Sequence, residues 1–245
     1  METGALALSP FVEKVFHFKS IDSTNTFAKN LESFPEKGVF LVVADRQIAG
    51  RGQWQRSFFS DVEGGIYASI VCPIADMDKH FRYNRALSLA ICEAVETVAS
   101  NCPVSIKWPN DIYCSNKKLC GILLESAPKS PRHLVMGFGL NVNIAQEQFP
   151  PDLRTIATSL FIESARTIDT AALLHRICDL LSEFLELPDD QAHVHYARRL
   201  YETGRRILIS GIAGTFLGVL EDGRLSVETK GGQAFISSGT MQFID

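Results

Sequence analysis

Residues Val104 to Glu125 leave a folded chain little choice. Val104-Ser105-Ile106-Lys107-Trp108 has the alternation of a strand, and Pro109, which cannot donate to a ladder, ends it and holds Trp108 extended. The chain then turns through Asn110-Asp111, runs on as Ile112-Tyr113-Cys114, and turns again at Ser115-Asn116-Lys117. It returns as Lys118-Leu119-Cys120-Gly121-Ile122-Leu123-Leu124-Glu125. Three short strands joined by tight turns call for an antiparallel sheet. They also place Lys107, Asp111 and Lys118 in one hairpin-like unit. Two ammonium groups and a carboxylate among apolar residues are costly unless paired or facing a cleft. The plainer alternative is a turn carboxylate flanked by two exposed lysines.

A second informative stretch is Asp45-Arg46-Gln47-Ile48-Ala49-Gly50-Arg51-Gly52-Gln53-Trp54-Gln55-Arg56-Ser57-Phe58-Phe59. It follows Val39-Phe40-Leu41-Val42-Val43-Ala44, apolar and β-branched enough for a buried strand, so the loop leaves a sheet. Gly50 and Gly52 let the backbone approach a ligand closely, and Arg51 and Arg56 suit carboxylate or phosphate oxygens. An anion-gripping loop and a solvated loop with scattered charge both fit. Neither the third glycine of a dinucleotide fingerprint nor the Gly-Lys-Ser/Thr ending of a P-loop is present.

The remaining chain frames these stretches. Val15 to Phe18 reads as a strand, and Asp22-Ser23-Thr24 supplies N-cap groups for a helix carrying Phe27, Ala28, Leu31 and Phe34. Capping and ligand binding are both open to Ser23-Thr24-Asn25. Ile66 to Val71 is a strand, and His80 to Ser100 a helix with Leu87, Ile91, Val95 and Val98 on one face. His133 to Asn143 is a strand whose Gly137 and Gly139 mark a bulge or a close neighbour such as a ligand. Ala171 to Leu187 is amphipathic, and a shorter helix follows to about Glu202. From Gly204 the texture changes to short β segments, Ile207–Ile209, Gly214–Leu220, Leu225–Thr229 and Gln233–Ser237, separated by glycine-rich turns. An appendage of about forty residues is marginal alone and should pack on the main domain.

Composition excludes several classes. With 245 residues and 46% hydrophobic content the chain can bury a sizeable core, and a net charge of −4 argues against a broad nucleic-acid footprint. The six cysteines form no Cys-x-x-Cys pair or zinc-like spacing with histidine and read as reduced, mostly buried thiols of a cytoplasmic protein. No apolar run approaches the ~18 residues needed to span a bilayer.

Taken in order, Ser23-Thr24-Asn25, Gln47 with Gly50-Arg51-Gly52, Lys107-Trp108-Pro109-Asn110-Asp111, Lys118-Leu119-Cys120-Gly121-Ile122-Leu123, Gly137-Phe138-Gly139-Leu140-Asn141 and the terminal β module resemble the biotin–protein ligases over roughly residues 15 to 245. The resemblance implies an α+β fold. Residues 1–203 would form a catalytic domain with a mixed β-sheet flanked by helices, like the class II aminoacyl-tRNA synthetases, and residues 204–245 a small SH3-like β-barrel. Starting almost at once on the catalytic domain, the chain looks like the monofunctional class without an N-terminal DNA-binding domain, and a homodimer is compatible with it.

The resemblance further implies activation of biotin by MgATP to biotinyl-5′-AMP and pyrophosphate, then transfer to one lysine of a biotin carboxyl carrier domain such as that of acetyl-CoA carboxylase. No redox cofactor, DNA or membrane enters this chemistry. A biotin carboxylate is already ionised at neutral pH, so activation needs positioning and charge neutralisation rather than a base. On the family pattern Lys118, Arg51 and Asp111 are catalytic. Ser23, Thr24, Asn25, Gln47, Arg51, Gly52, Gln53, Lys118 and Gly121 hold biotin. Gly50, Arg51, Arg56, Lys107, Trp108, Asn110, Asp111 and Asn141 hold ATP or the adenylate, and Asp111 is the magnesium ligand. Gln53, Gln55 and Phe58 depart from the family's common Gly-Arg-Gly-Arg-x-Gly-Arg-x-Trp, where they replace arginine, glycine and tryptophan.

A lipoate–protein ligase or octanoyltransferase shares the acyl-transfer logic, but its ligand lacks the ureido head that Ser23-Thr24-Asn25 and Gln47 would serve. A nucleic-acid-binding module built on the Arg51–Arg56 loop is disfavoured by the net charge and by the lack of clustered aromatic and basic residues in the barrel.

Overall fold

A computed structural model describes residues 9–244. Strand β1 (Val12–Phe18), helix α1 (Thr24–Lys29), β2 (Val39–Ala44), β3 (Ile66–Pro73) and α2 (His80–Val98) come first. β4 (Val104–Lys107), β5 (Asp111–Cys114), β6 (Lys117–Ala127) and β7 (Ser130–Leu140) follow. Helices α3 (Leu160–Ser164), α4 (Thr170–Glu186) and α5 (Asp189–Arg198) lead into β8 (Arg206–Ile209), β9 (Ile212–Val219), β10 (Leu225–Thr229), β11 (Gly232–Ile236) and β12 (Gln242–Phe243). The fold is α+β with two sheets, as expected.

The seven-stranded sheet runs β1-β2-β3-β7-β6-β5-β4. β1 and β2 are parallel, and every later pairing is antiparallel. Pro109 and the Ser115-Asn116 turn enforce the β4-β5-β6 meander, and Ser115 and Asn116 take the positive φ a tight turn demands. Both faces of the sheet are covered, and β2 shows it residue by residue. Val39 and Leu41 join the large core containing Leu87, Ile91 and Leu181 from α2 and α4, whereas Phe40 and Val42 pack with Ala28 and Leu31 at α1. Period-two alternation between two apolar layers makes such a strand continuously hydrophobic.

That alternation decides what faces α1. On α1's side of the sheet stand Tyr67, Ser69 and Val71 of β3, Val135, Gly137 and Gly139 of β7, Gly121, Leu123 and Glu125 of β6, Asp111 of β5 and Lys107 of β4. The register pairs Ser69 with Gly137, Gly137 with Leu123, Gly139 with Gly121, Gly121 with Asp111, and Asp111 with Lys107. Three adjacent glycines remove the side chains from the middle of this face. A trough results, with Asp111 and Lys107 along one bank.

The second sheet is antiparallel, in the order β11-β10-β9-β8-β12, and is compatible with an SH3-like module. Ile207, Phe216 and Val227 belong to the same buried cluster as Leu41 and Ile91. The small module therefore shares the main core, as its size requires. Trp108 Nε1 also donates to Gly223 O at 2.9 Å, tying the Lys107–Asp111 turn to this sheet.

Several expectations need correction. The first helix stops at Lys29, with Asn30 as C-cap, although Leu31 and Phe34 still pack beneath it. Asn30 closes the helix, its backbone N–H donating to Phe27 O at 3.0 Å and its side-chain amide to Thr26 O at 2.8 Å, so apolar spacing outlasts the helix. The two-residue β12 and the five-residue α3 are too short to leave a pattern. Cys102 and Cys114 are joined in a disulfide, against the all-thiol expectation. Pairing of Val104 with Cys114 across β4 and β5 brings the Cα atoms of Cys102 and Cys114 to 6.0 Å, a register effect invisible in Cys spacing. Cys72, Cys92, Cys120 and Cys178 are buried thiols as expected, and burial pushes those of Cys72, Cys92 and Cys178 up to about 12.

Candidate functional site

The trough opens into a cavity roofed by the Gly50–Phe58 loop. Of the residues singled out from the sequence, Ser23, Thr24, Asn25, Gln47, Arg51, Gly52, Gln53, Arg56, Lys107, Trp108, Asn110, Asp111, Lys118 and Gly121 line it. Gly50 and Asn141 do not. A Cβ on Gly50 would lie 2.1 Å from Ser60 Oγ, so Gly50 lets the loop pass beneath Ser60 rather than facing a ligand. Asn141 is buried, its amide donates to Thr158 O at 2.9 Å, and its Oδ1 has no hydrogen-bond partner among the described residues.

One end of the cavity is a hydrogen-bonded ladder. Gln47 Oε1 accepts from Thr24 N at 2.8 Å and from Thr24 Oγ1 at 3.0 Å. Ser69 Oγ, fully buried, donates to Asn25 Oδ1 at 2.5 Å and lies 2.7 Å from Thr24 Oγ1. Asn25 Nδ2 donates to Glu125 Oε2 at 2.9 Å and Leu123 O at 3.3 Å. These commitments sort the predicted ligand contacts. Thr24 and Asn25 spend their polar atoms on the protein and hold the ladder in place. Gln47, its oxygen occupied, has Nε2–H left to offer. Ser23 caps α1 by accepting from Thr26 N at 3.4 Å, which leaves its hydroxyl hydrogen free to donate. Capping and binding are compatible in this one residue.

Glu125, which no sequence pattern singles out, anchors the ladder. It accepts from Lys29 Nζ at 2.5 Å and stands 3.9 Å from Arg51 Nη2. Burial alone would raise its carboxyl, but the hydrogen bonds from Lys29 and Asn25 and the charges of Lys29 and Arg51 outweigh it and hold the group below its usual range. Arg51 Nη2 also donates to Thr26 Oγ1 at 2.8 Å. The guanidinium is thus fixed at the edge of the trough.

On the other bank Lys118 Nζ pairs with Asp111 Oδ1 at 2.7 Å. Lys107 donates to Tyr113 Oη at 3.2 Å and lies between the rings of Tyr113 and Phe243; burial draws its ammonium below the ordinary value, and Asp111 works against that shift. Asn110 is locked in the turn, its amide donating to Ile122 O while its own carbonyl accepts from Ile122 N at 2.9 Å. Asp111 is the sole carboxylate among the described residues lining the cavity. Magnesium carried in on phosphate oxygens would find one protein carboxylate here, which suits an ion that keeps most of its water and phosphate ligands.

Phe58 fills a part of the trough that sequence reasoning did not assign. Added Cβ atoms on Gly139 and Gly121 would come within 2.2 Å and 3.1 Å of its ring. The spacing Gly137-x-Gly139 on one face of a strand was the available signal. Gly239, Thr240 and Met241, in the connection from β11 to β12, line the cavity as well, and Arg56 Nη2 donates to Thr240 Oγ1 at 3.2 Å. No sequence pattern announced that contribution.

Comparison with known proteins adds the following. Residues 17–141 match the family model described as the biotin/lipoate A/B protein ligase family. The chain is 32% identical over 235 residues to the bifunctional ligase/repressor BirA of Bacillus spizizenii, covering 91% of this chain and 71% of that protein. It is 26% identical over 211 residues to the biotin–[acetyl-CoA-carboxylase] ligase of Mycobacterium tuberculosis, covering 81% and 77%. A solved biotin protein ligase from Aquifex aeolicus in complex with biotin and ATP superposes with a TM-score of 0.83 at 28% identity, covering 95% of this chain and 99% of that one.

Proposed function

The chain belongs to the biotin/lipoate A/B protein ligase family, and from that premise we propose that it is an ATP-dependent biotin–protein ligase acting through biotinyl-5′-AMP on a lysine of a biotin carboxyl carrier domain. The observation that carries the choice of biotin is the ladder of Ser23, Thr24, Gln47 and Ser69 at the buried end of the cavity. Its open donors suit a ureido group, and a lipoyl ring would leave them unsatisfied at about 1–3 kcal/mol each.

The acyl chain of biotin would lie along the glycine trough against Phe58, placing its carboxylate between Arg51 and Lys118. Those two cations would let carboxylate and α-phosphate approach despite their mutual repulsion and would stabilise the charge that develops. Attack of a carboxylate oxygen on the α-phosphorus expels pyrophosphate, which Arg56 would hold. In the second step the carrier lysine's nitrogen attacks the acyl carbon, AMP departs, and Asp111 would orient the incoming amine. Magnesium enters as part of MgATP, with Asp111 its protein ligand. The same proposal divides the chain into a catalytic domain, 1–203, and a β module, 204–245; residues 1–8 and 245 lie outside the described residues. A cytoplasmic location goes with it. Among the described residues no helix is long and apolar enough to cross a membrane.

The test is pyrophosphate exchange into ATP with biotin, lipoate or no acid. Exchange with biotin alone is the expected result. Exchange with lipoate alone would move the chain to the lipoate branch of its family, and no exchange with either would remove the adenylating half-reaction. The neutral Gln53 also has a measurable consequence. Where the family commonly carries arginine, this chain has one charge fewer facing the adenylate, so Gln53→Arg is expected to slow adenylate release about tenfold, the order of one charge-assisted hydrogen bond. Equal release rates from the two proteins would sink the idea.

A further inference from the structure

Four consecutive side chains near the start of α2 each bond to a different element. Arg82 Nη2 donates to Leu185 O of α4, Tyr83 Oη to Pro73 O of β3 at 3.2 Å, Asn84 Nδ2 to Pro109 O at 2.9 Å, and Arg85 pairs with Asp189 of α5. Successive residues of a helix point about 100° apart, so this end of α2 is fixed on several sides at once. Of the four bonds, the one from Asn84 ends in the cavity wall, which Pro109 lines. Asn84 itself stands outside the cavity. It is buried, and it reaches Pro109 from the α2 side of the sheet, opposite the trough.

The turn that Asn84 holds has Lys107 on one side and Asp111 on the other, and each of its three residues is tied to a different support. Trp108 Nε1 donates to Gly223 O at 2.9 Å, and Asn110 exchanges bonds with Ile122 of β6. Pro109 lacks an N–H, so its carbonyl is its one main-chain polar group, and that carbonyl accepts the Asn84 amide. An amide buried on the same helical face as Leu87 and Ile91 is costly unless its bonds are made. Asn84 Oδ1 has no partner among the described residues, which leaves the bond to Pro109 as the contact this side chain serves. We propose that Asn84 is a positioning residue for the nucleotide step. From behind the sheet it fixes the Pro109 carbonyl, and with it the placement of Lys107, Asn110 and Asp111 that MgATP meets. The inference rests on the biotin–protein ligase reading above and adds to it a residue that touches no substrate. Biotin, held at the ladder by Ser23 and Gln47, has no share in this support.

The experiment uses the full chain and three variants. Asn84→Ala removes the donor, and Asn84→Asp keeps the shape while its ionised carboxylate offers Pro109 O only acceptors. Tyr83→Phe is the control, because it removes the neighbouring α2 anchor at Pro73 and leaves the turn alone. Biotin is titrated into each protein without nucleotide, and biotin-dependent pyrophosphate exchange is then measured against MgATP concentration. The expected result is a KM for MgATP raised about tenfold in both Asn84 variants, the order of one lost hydrogen bond. Exchange at saturating MgATP should stay within about threefold of wild type and biotin affinity within about twofold, a split that general loosening of the fold would not produce. Tyr83→Phe should leave both constants within about twofold of wild type. The proposal is overturned if the KM of Asn84→Ala stays within about twofold of wild type, or if Tyr83→Phe raises it as far as Asn84→Ala does. It is also overturned if Asn84→Ala loses biotin affinity in step with MgATP or altogether, which would make Asn84 a packing residue. Should wild type exchange normally while the KM ignores residue 84, the positioning role falls alone. Should no acid support exchange in wild type, the ligase reading falls and takes this inference with it.

Discussion

Replacing Lys118 by alanine is expected to reduce biotin-dependent pyrophosphate exchange by at least about 10²–10³-fold, the usual cost of removing one preorganised donor from developing charge. Lys118 is on β6 at the edge of the trough, 2.7 Å from Asp111 and above the ring of Phe58. Without it the biotin carboxylate and α-phosphate would meet with Arg51 as the remaining cation on that side, and Asp111 would add a third negative charge. Stability should hardly move. The ion pair is about one-third exposed on the lysine side, and such pairs contribute 0–1 kcal/mol. Comparing exchange rate with thermal midpoint therefore separates chemistry from folding. A variant that kept exchange within tenfold of wild type would remove Lys118 from the chemistry, and one that lost activity only in proportion to folded protein would make it structural.

Gly137→Ala is expected to do the opposite, weakening fold and ligand together. The added methyl would lie 2.0 Å from Asn25 Oδ1 and 2.6 Å from its Cγ. That amide cannot swing aside cheaply, because Ser69, Leu123 and Glu125 hold it from three directions. Relieving the overlap must push α1 off the sheet, at about 1–3 kcal/mol for overpacking. Ser23 and Gln47 move with it, so biotin affinity should fall by about ten- to a hundredfold. Gly52→Ala is the matched control for stability: its nearest neighbour is Arg56 O at 3.7 Å, and it should stay within about 0.5 kcal/mol of wild type. Chemical denaturation and biotin titration of both variants make the check. Equal stability of the two would mean that the α1 side of the trough is looser than the ladder implies.

Much of this architecture was legible because it rests on local chemistry. Apolar period-two runs and Pro109 announced the strands of the large sheet, 3.6-residue spacing announced α2 and α4, and the change of texture after Gly204 announced the second sheet. The site was legible in another way. Residue chemistry left capping, turn and surface roles open for these side chains, and the resemblance of the motif stretches to the biotin–protein ligases supplied the set, of which fourteen of sixteen positions line one cavity.

The remainder depended on contacts made across long sequence distances. Gly50 and Asn141 sit in motif stretches, but the register of their strands and loops turns them into packing rather than lining. Glu125 and Ser69 read as ordinary strand residues until pairing of β3, β7 and β6 aligned them with Asn25 on α1. Thr240 entered the cavity because the second sheet shares the main core, and Cys102 met Cys114 because β4 pairs with β5. The sequence by itself thus determined the elements, the family and the chemical character of the cavity, since those follow from residue type and short-range period. The tertiary structure alone decided which polar atoms are already spent on the protein and which remain for a ligand, because a hydrogen bond's availability is settled by partners far away in the chain, 100 residues for Asn25 and Glu125 and 184 for Arg56 and Thr240.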